Sequence, residues 1–314
     1  MERVSERVRH LAYCSSLVMF DDRHAVDLVA TSSHIERLVQ AGIGVCMPGA
    51  GTGEGNTLSP DEIYSLLATA VKTAAGRVPV VGYGTEPRTA KDFKPFVEAC
   101  VEASVDAVVL SPPDPGHGYH PNERALDAYF SDLLETSPIR TYVATHLAVG
   151  YEVPVELLAS LSGRFSSIAG FFVTHYTNST YLLRLRGLVG DEYEIVAGGV
   201  YRILDSLADG ASGWLSSIDM NVAPQFSSEL VAALDAGDWT AIKGAFQRTH
   251  RLLEGLKAEG VVNSAKAALD LLGLYGGPVR PPQIQVDESA HARISELLVE
   301  VGLQPIASSA LVST

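Results

Sequence analysis

The stretch IAGFFVTH, Ile168 to His175, is an unbroken apolar run interrupted by one glycine and closed by polar residues. Such a run reads as a parallel strand buried on both faces, because a strand with one wet face would alternate. Working outward, runs of the same kind recur with longer amphipathic segments between them. They are LAYCSSLVMF from Leu11, GIGVCMPG from Gly42, VPVVGYG from Val78, AVVLSPP from Ala107, RTYVATH from Arg140, EIVAGG from Glu194 and GWLSSID from Gly213. With SIAGFFVTH from Ser167 they make eight βα units between about Leu11 and Ala236. That count predicts an α/β fold, a (β/α)8 TIM barrel, rather than a doubly wound sheet.

Helix starts are legible between the strands. Ser59, Pro60, Asp61 and Glu62 supply an N-cap, a first-turn proline and acidic residues suited to the helix dipole. Similar logic starts helices after Thr89, Pro121, Pro154 and Asn178. After the eighth unit the pattern is helical only, at Ser227 to Asp235, Trp239 to Ala258, Ser264 to Leu272 and Asp287 to Val301. The expected organisation is a barrel over 1–236 with a C-terminal helical extension over 237–314 packed on it as one unit.

Composition narrows the function. A formal charge of -14 in 314 residues argues against a grip on nucleic acid, which needs clustered Lys and Arg. The expected partner is a small molecule. Cys14, Cys46 and Cys100 lie in or beside apolar segments without CxxC spacing, so they read as reduced core residues. MERVSERVRH lacks the apolar stretch of a signal peptide, and no run is long enough to cross a membrane, so a cytoplasmic protein is expected. No GxGxxG or GxxxxGK pattern appears, GYG at Gly82 to Gly84 is too short for a nucleotide loop, and no cofactor is called for.

Several motifs resemble the dihydrodipicolinate synthase and N-acetylneuraminate lyase family. GTGEGNTLSPDE, Gly51 to Glu62, is similar to the family's loop after the second strand. VPVVGYGTEPRTAKD, EASVDAVVLSPP from Glu102, WLSSIDMNVAPQ and KAALDLLGLYGGPVRPP, Lys266 to Pro282, extend the likeness along nearly the whole chain. The resemblance implies a barrel, dimers or tetramers, and a lysine two residues after the strand glycine that forms a Schiff base. Here that position is Phe172, which cannot form an iminium. The resemblance also implies a proton-relaying tyrosine at Tyr142 and a carboxylate-holding loop at Thr52. Where family enzymes have a second hydroxyl stands Gly51; where they have paired tyrosines stand Pro113 and Asp114; where an arginine would be stands Leu147. The six lysines, Lys72, Lys91, Lys94, Lys243, Lys257 and Lys266, fall on helices or helix entries and away from strand ends, with Lys266 read as a surface or structural residue.

The positive sign of chemistry is a cluster of histidines after strands four to six: His117, His120, His146 and His175. Imidazoles can serve as bases near neutrality or bind metal, yet loop histidines are commonly just solvated. His146 and His175 are the candidate bases, with Tyr142 and Thr52 as their catalytic partners. Gly51, Gly53, Glu54, Asp114, Phe172, Gly199 and Tyr201 are the candidate substrate contacts. For Glu54 a structural role tying loops together stands beside the ligand reading, and for Tyr142 a core aromatic. Glycines Gly198 and Gly199 read either as an anion's approach beside Arg202 or as a tight turn. Three functions stay open: a lyase, hydratase or aldol-type enzyme acting on a small carbonyl or carboxylate compound without a lysine imine; a silent member binding a metabolite or partner subunit; and a metal-dependent lyase using the loop histidines.

Overall fold

A computed structural model describes residues 12–174 and 180–305. Eight parallel strands close into a barrel in chain order. They are β1 (Ala12–Ser15), β2 (Gly44–Pro48), β3 (Val80–Tyr83), β4 (Ala107–Leu110), β5 (Thr141–Thr145), β6 (Ile168–Val173), β7 (Glu194–Gly198) and β8 (Gly213–Ser216). The crossover helices are α1 (Leu28–Gln40), α2 (Pro60–Ala74), α3 (Ala90–Glu102), α4 (Glu123–Thr136), α5 (Val155–Arg164), α6 (Tyr181–Val189) and α7 (Ile203–Ala208). After β8 come α8 (Ile218–Val222), α9 (Pro224–Ala236), α10 (Trp239–Ala258), α11 (Val262–Leu271) and α12 (Glu288–Glu300). The TIM barrel and its helical tail agree with the sequence reading. Among the described residues no helix is long and apolar enough to cross a membrane.

Strand alternation divides the apolar residues into two cores. Tyr13, Tyr83, Val109, Tyr142, Phe172 and Leu215 belong to the barrel interior, while Phe171 and Val173 join the layer between strands and helices. Phe172 is fully buried, and its ring packs edge-on against Tyr142, Tyr13 and Tyr83 at centroid separations of 4.9, 5.8 and 5.9 Å. Gly170 permits the close passage of β6 and β7, since a Cβ there would lie 2.1 Å from the Glu194 carbonyl oxygen. The three cysteines are buried and free.

Helix starts follow the local chemistry. Ser59 and Glu62 exchange side-chain and backbone hydrogen bonds as a capping box at α2, with Pro60 in the first turn. The side chains of Asp27, Thr89 and Asn122 cap α1, α3 and α4 by accepting first-turn backbone N–H bonds. The tail is held by α10 against α9 and α8, and by α11 against α8.

Lys266, in α11, is fully buried. Its ammonium lies 2.8 Å from Glu54 Oε2, donates to the Pro278 carbonyl at 2.7 Å, and sits 4.4 Å from the centre of the Phe20 ring. Of the two readings open for this lysine, the surface one is excluded.

Candidate active site

The C-terminal ends of the strands open into a cleft of about 540 Å³. Ser15, Leu215 and Ser216 contribute its floor from β1 and β8, and the loop after β2 brings Gly51 and Thr52 to one side. That loop is folded tightly over its own strand. A Cβ at Gly53 would fall 1.3 Å from the Pro48 carbonyl oxygen, and the Gly55 amide donates to the Gly49 carbonyl at 2.9 Å. Thr52 is buried yet lines the cleft.

Beneath the loop, Glu54 is fully buried in a left-handed conformation at φ 51°. Its Oε2 accepts from Lys266, and its Oε1 accepts from the Arg280 amide at 2.8 Å. Both oxygens are therefore committed to the C-terminal segment, and the structural role is the one this geometry supports. Gly53 likewise serves the turn and is not part of the cleft lining.

Across the cleft, His146 follows β5 and Glu86 follows β3. His146 Nδ1 lies 2.7 Å from Glu86 Oε1, with the glutamate side chain 14% exposed and the histidine side chain 32% exposed. Burial pushes the Glu86 carboxyl upward, but the close approach and charge of the His146 ring outweigh it and leave the group below the usual range. Tyr83, the last residue of β3, turns its phenol to the same cleft. Burial raises its pKa, partly offset by a hydrogen bond with Thr174, so it stays protonated at neutrality.

Tyr142 does not line the cleft. It is the second residue of β5, and its hydroxyl donates to Glu194 Oε2 at 2.5 Å, where β7 begins. Burial, together with Tyr13 and the Glu194 carboxylate, raises its pKa. The phenol thus faces the N-terminal side of the barrel, the side that ordinarily serves stability rather than chemistry. Phe172 fills the interior without reaching the cleft lining. Asp114 is exposed, accepts from the Gly116 amide at 3.0 Å in a local turn, and is not in the lining.

The sequence candidates that meet in the cleft are therefore Gly51, Thr52, His146, Gly199 and Tyr201. His175 lies outside the described residues, as does the side chain of Leu147. His120 packs its ring against Tyr151 at 5.7 Å, and among the described residues no cluster of three His, Cys, Asp or Glu side chains could hold a metal ion. Glu86, Tyr83 and Thr174 are contributors that sequence reasoning missed. Lys257 is another: it lines the cleft from α10, which corrects the expectation that every lysine keeps away from the strand ends.

On the floor, Ser216 donates a hydrogen bond to Asp219 Oδ1 at the start of α8. Asp219 is 1% exposed, and burial lifts its carboxyl from 3.8 to about 6.

A sequence model described as the dihydrodipicolinate synthetase family matches residues 13–301. The chain belongs to that family. Dihydrodipicolinate synthetase relatives include the 4-hydroxy-tetrahydrodipicolinate synthase of Halorhodospira halophila, 26% identical over 288 residues covering 90% of this chain and 92% of the relative. The enzyme of the same name from Jannaschia sp. is 29% identical over 280 residues, covering 89% and 94%. In three dimensions the chain is similar to a dihydrodipicolinate synthase from Bacillus anthracis, with a TM-score of 0.85 at 22% identity over 93% of this chain and 98% of that one. The Aquifex aeolicus dihydrodipicolinate synthase gives 0.84 at 23% identity, over 95% and 100%. At such identities the structural likeness speaks for the fold. Membership of the family makes a lyase-type enzyme the natural class.

Proposed function

We propose that this family member is a lyase that acts on a small carbonyl compound without a lysine imine. The observation that carries the reading is the His146 and Glu86 pair, 2.7 Å apart and both lining the cleft, above an interior closed by Phe172. With Nδ1 turned to Glu86, the other ring nitrogen is the one that meets substrate. It removes a proton from the carbon beside the carbonyl, and the Glu86 carboxylate stabilises the imidazolium that results. The electron pair moves onto the carbonyl oxygen. Without an iminium as electron sink, that oxyanion needs hydrogen-bond donors, and the Thr52 hydroxyl, the amides of the Gly51 loop and the Tyr83 phenol supply them. In this reading Tyr83 takes the proton-relay role expected of Tyr142.

Proton exchange tests it. Wild-type protein incubated with pyruvate and larger keto acids in D2O should exchange the protons beside the carbonyl, and His146→Ala should not. Borohydride treatment under the same conditions should leave the intact mass unchanged. An adduct would overturn the imine-free mechanism, and mapping it to Lys257 would name the amine. Ligand binding without exchange by any compound would favour a silent binding protein instead. Assembly as a homodimer or homotetramer belongs to the same proposal and is read by sedimentation velocity.

A further inference from the structure

The cleft is larger and more unevenly charged than a three-carbon keto acid needs. Its volume of about 540 Å³ lies within the roughly 300–1,000 Å³ of pockets that enclose drug-sized ligands. Among the described residues, the charged ones lining it are Arg202 and Lys257 on one side, and Glu86 with its histidine partner on the other. In a chain with a formal charge of -14, an edge built from two cations stands out. The two flank an aromatic surface: Lys257 Nζ lies 5.1 Å from the centre of the Tyr201 ring, and Tyr201 precedes Arg202 in the turn after β7. Between them and the strand ends the wall is apolar. Leu253, one turn before Lys257 in α10, and Val261, just beyond that helix, face the cleft together with Leu215 and Ile218.

Resting on the reading of His146 as the base, we propose that the substrate is an amphipathic carbonyl compound with a second, anionic end: the carbonyl at Thr52 and His146, an apolar body against Leu253, Val261 and Tyr201, and a carboxylate at Arg202 and Lys257. Arg202 offers a planar fork that matches a carboxylate, and Lys257 adds a mobile point charge. The apolar wall selects a ring or branched chain over a short polar linker, because burying it there removes nonpolar area from water. Glu254, whose charge also reaches Tyr201, lies one turn from Lys257 on α10, so the preference should depend on salt.

The test compares 4-carboxybenzaldehyde with benzaldehyde by calorimetry on the full chain. Wild type should bind the carboxylated aldehyde about tenfold more tightly at low salt, the scale of one charge-assisted hydrogen bond. The preference should shrink in high salt and vanish in Lys257→Met and Arg202→Met. Lys257→Glu, on an exposed helix face, should invert it. Equal affinities in wild type, binding of neither aldehyde, or a preference kept in both methionine variants would overturn the proposal. His146→Ala separates the two readings. If it keeps the preference and loses proton exchange, both stand; if it keeps both, the base assignment falls and the anionic subsite stands.

Discussion

Lys266 Nζ and Glu54 Oε2 stand 2.8 Å apart with neither side chain exposed to solvent, joining the tail helix α11 to the loop that carries Thr52. Burial lowers the Lys266 pKa, and the Glu54 carboxylate opposes that shift. Removing one partner leaves the other charge buried and uncompensated. Lys266→Met should therefore cost about 3–5 kcal/mol of stability, and the double variant with Glu54→Gln should recover part of it. Urea denaturation reads both; a fully additive pair would refute the coupling.

Phe172→Ala removes a ring packed against three tyrosines and leaves a cavity in the barrel interior. The expected loss is about 3–5 kcal/mol. Phe172→Lys should also destabilise and should give no borohydride adduct, because its amine would be enclosed by Tyr13, Tyr83 and Tyr142. Trapping of pyruvate by that variant would show that the interior is open to substrate.

Asp219 makes stability depend on pH. Its carboxyl is raised from 3.8 to about 6 in the fold. The native state therefore holds the proton more tightly than the unfolded chain. The resulting stabilisation of the protonated form is intact below the unfolded value of 3.8 and lost as pH rises through about 6, a change on the order of 3 kcal/mol. Asp219→Asn, which keeps an acceptor for Ser216, should gain on wild type by up to that amount between acid and mildly alkaline pH. His34, held near 3 by burial and the Arg37 charge, acts in the opposite sense, losing stability as pH falls below 6.5. It is common to both proteins and cancels in the difference. A gap that does not change with pH would show that Asp219 does not titrate this way.

Glu86→Gln should lower kcat/KM of the wild-type activity, since it keeps the shape but not the charge beside His146. A loss of about 100-fold is the scale of general acid–base assistance. Unchanged kcat/KM would remove Glu86 from the mechanism.

Gly53→Ala should prevent the loop after β2 from closing, because the new Cβ would fall 1.3 Å from the Pro48 carbonyl oxygen. The expected outcome is a folded barrel with ligand binding lost, or failure to accumulate soluble protein. Circular dichroism with calorimetry decides; full binding would show that the loop has room.

The barrel was legible because buried parallel strands are continuous apolar runs and the helices between them carry their own caps, as Ser59 and Thr89 do. His146 was legible because it directly follows β5, and Thr52 because the family resemblance points to the loop after β2. Tyr142 was harder. Alternation tells which face a residue takes but not its height in the barrel, and the second residue of β5 lies low whereas Tyr83, the last of β3, lies high. Glu86 and Lys257 carry no local signal at all. Their meaning comes from loops and a helix that are distant in sequence and adjacent only after the barrel closes.

One wall of the cleft, at Leu253, Lys257 and Val261, belongs to the helical tail and the turn after α10 rather than to the barrel. Part of the selecting surface is thus written in a separate part of the gene from the reacting groups. Exchanging the α10 segment with that of a relative offers a way to redirect which compounds enter while the strand-end chemistry is inherited untouched.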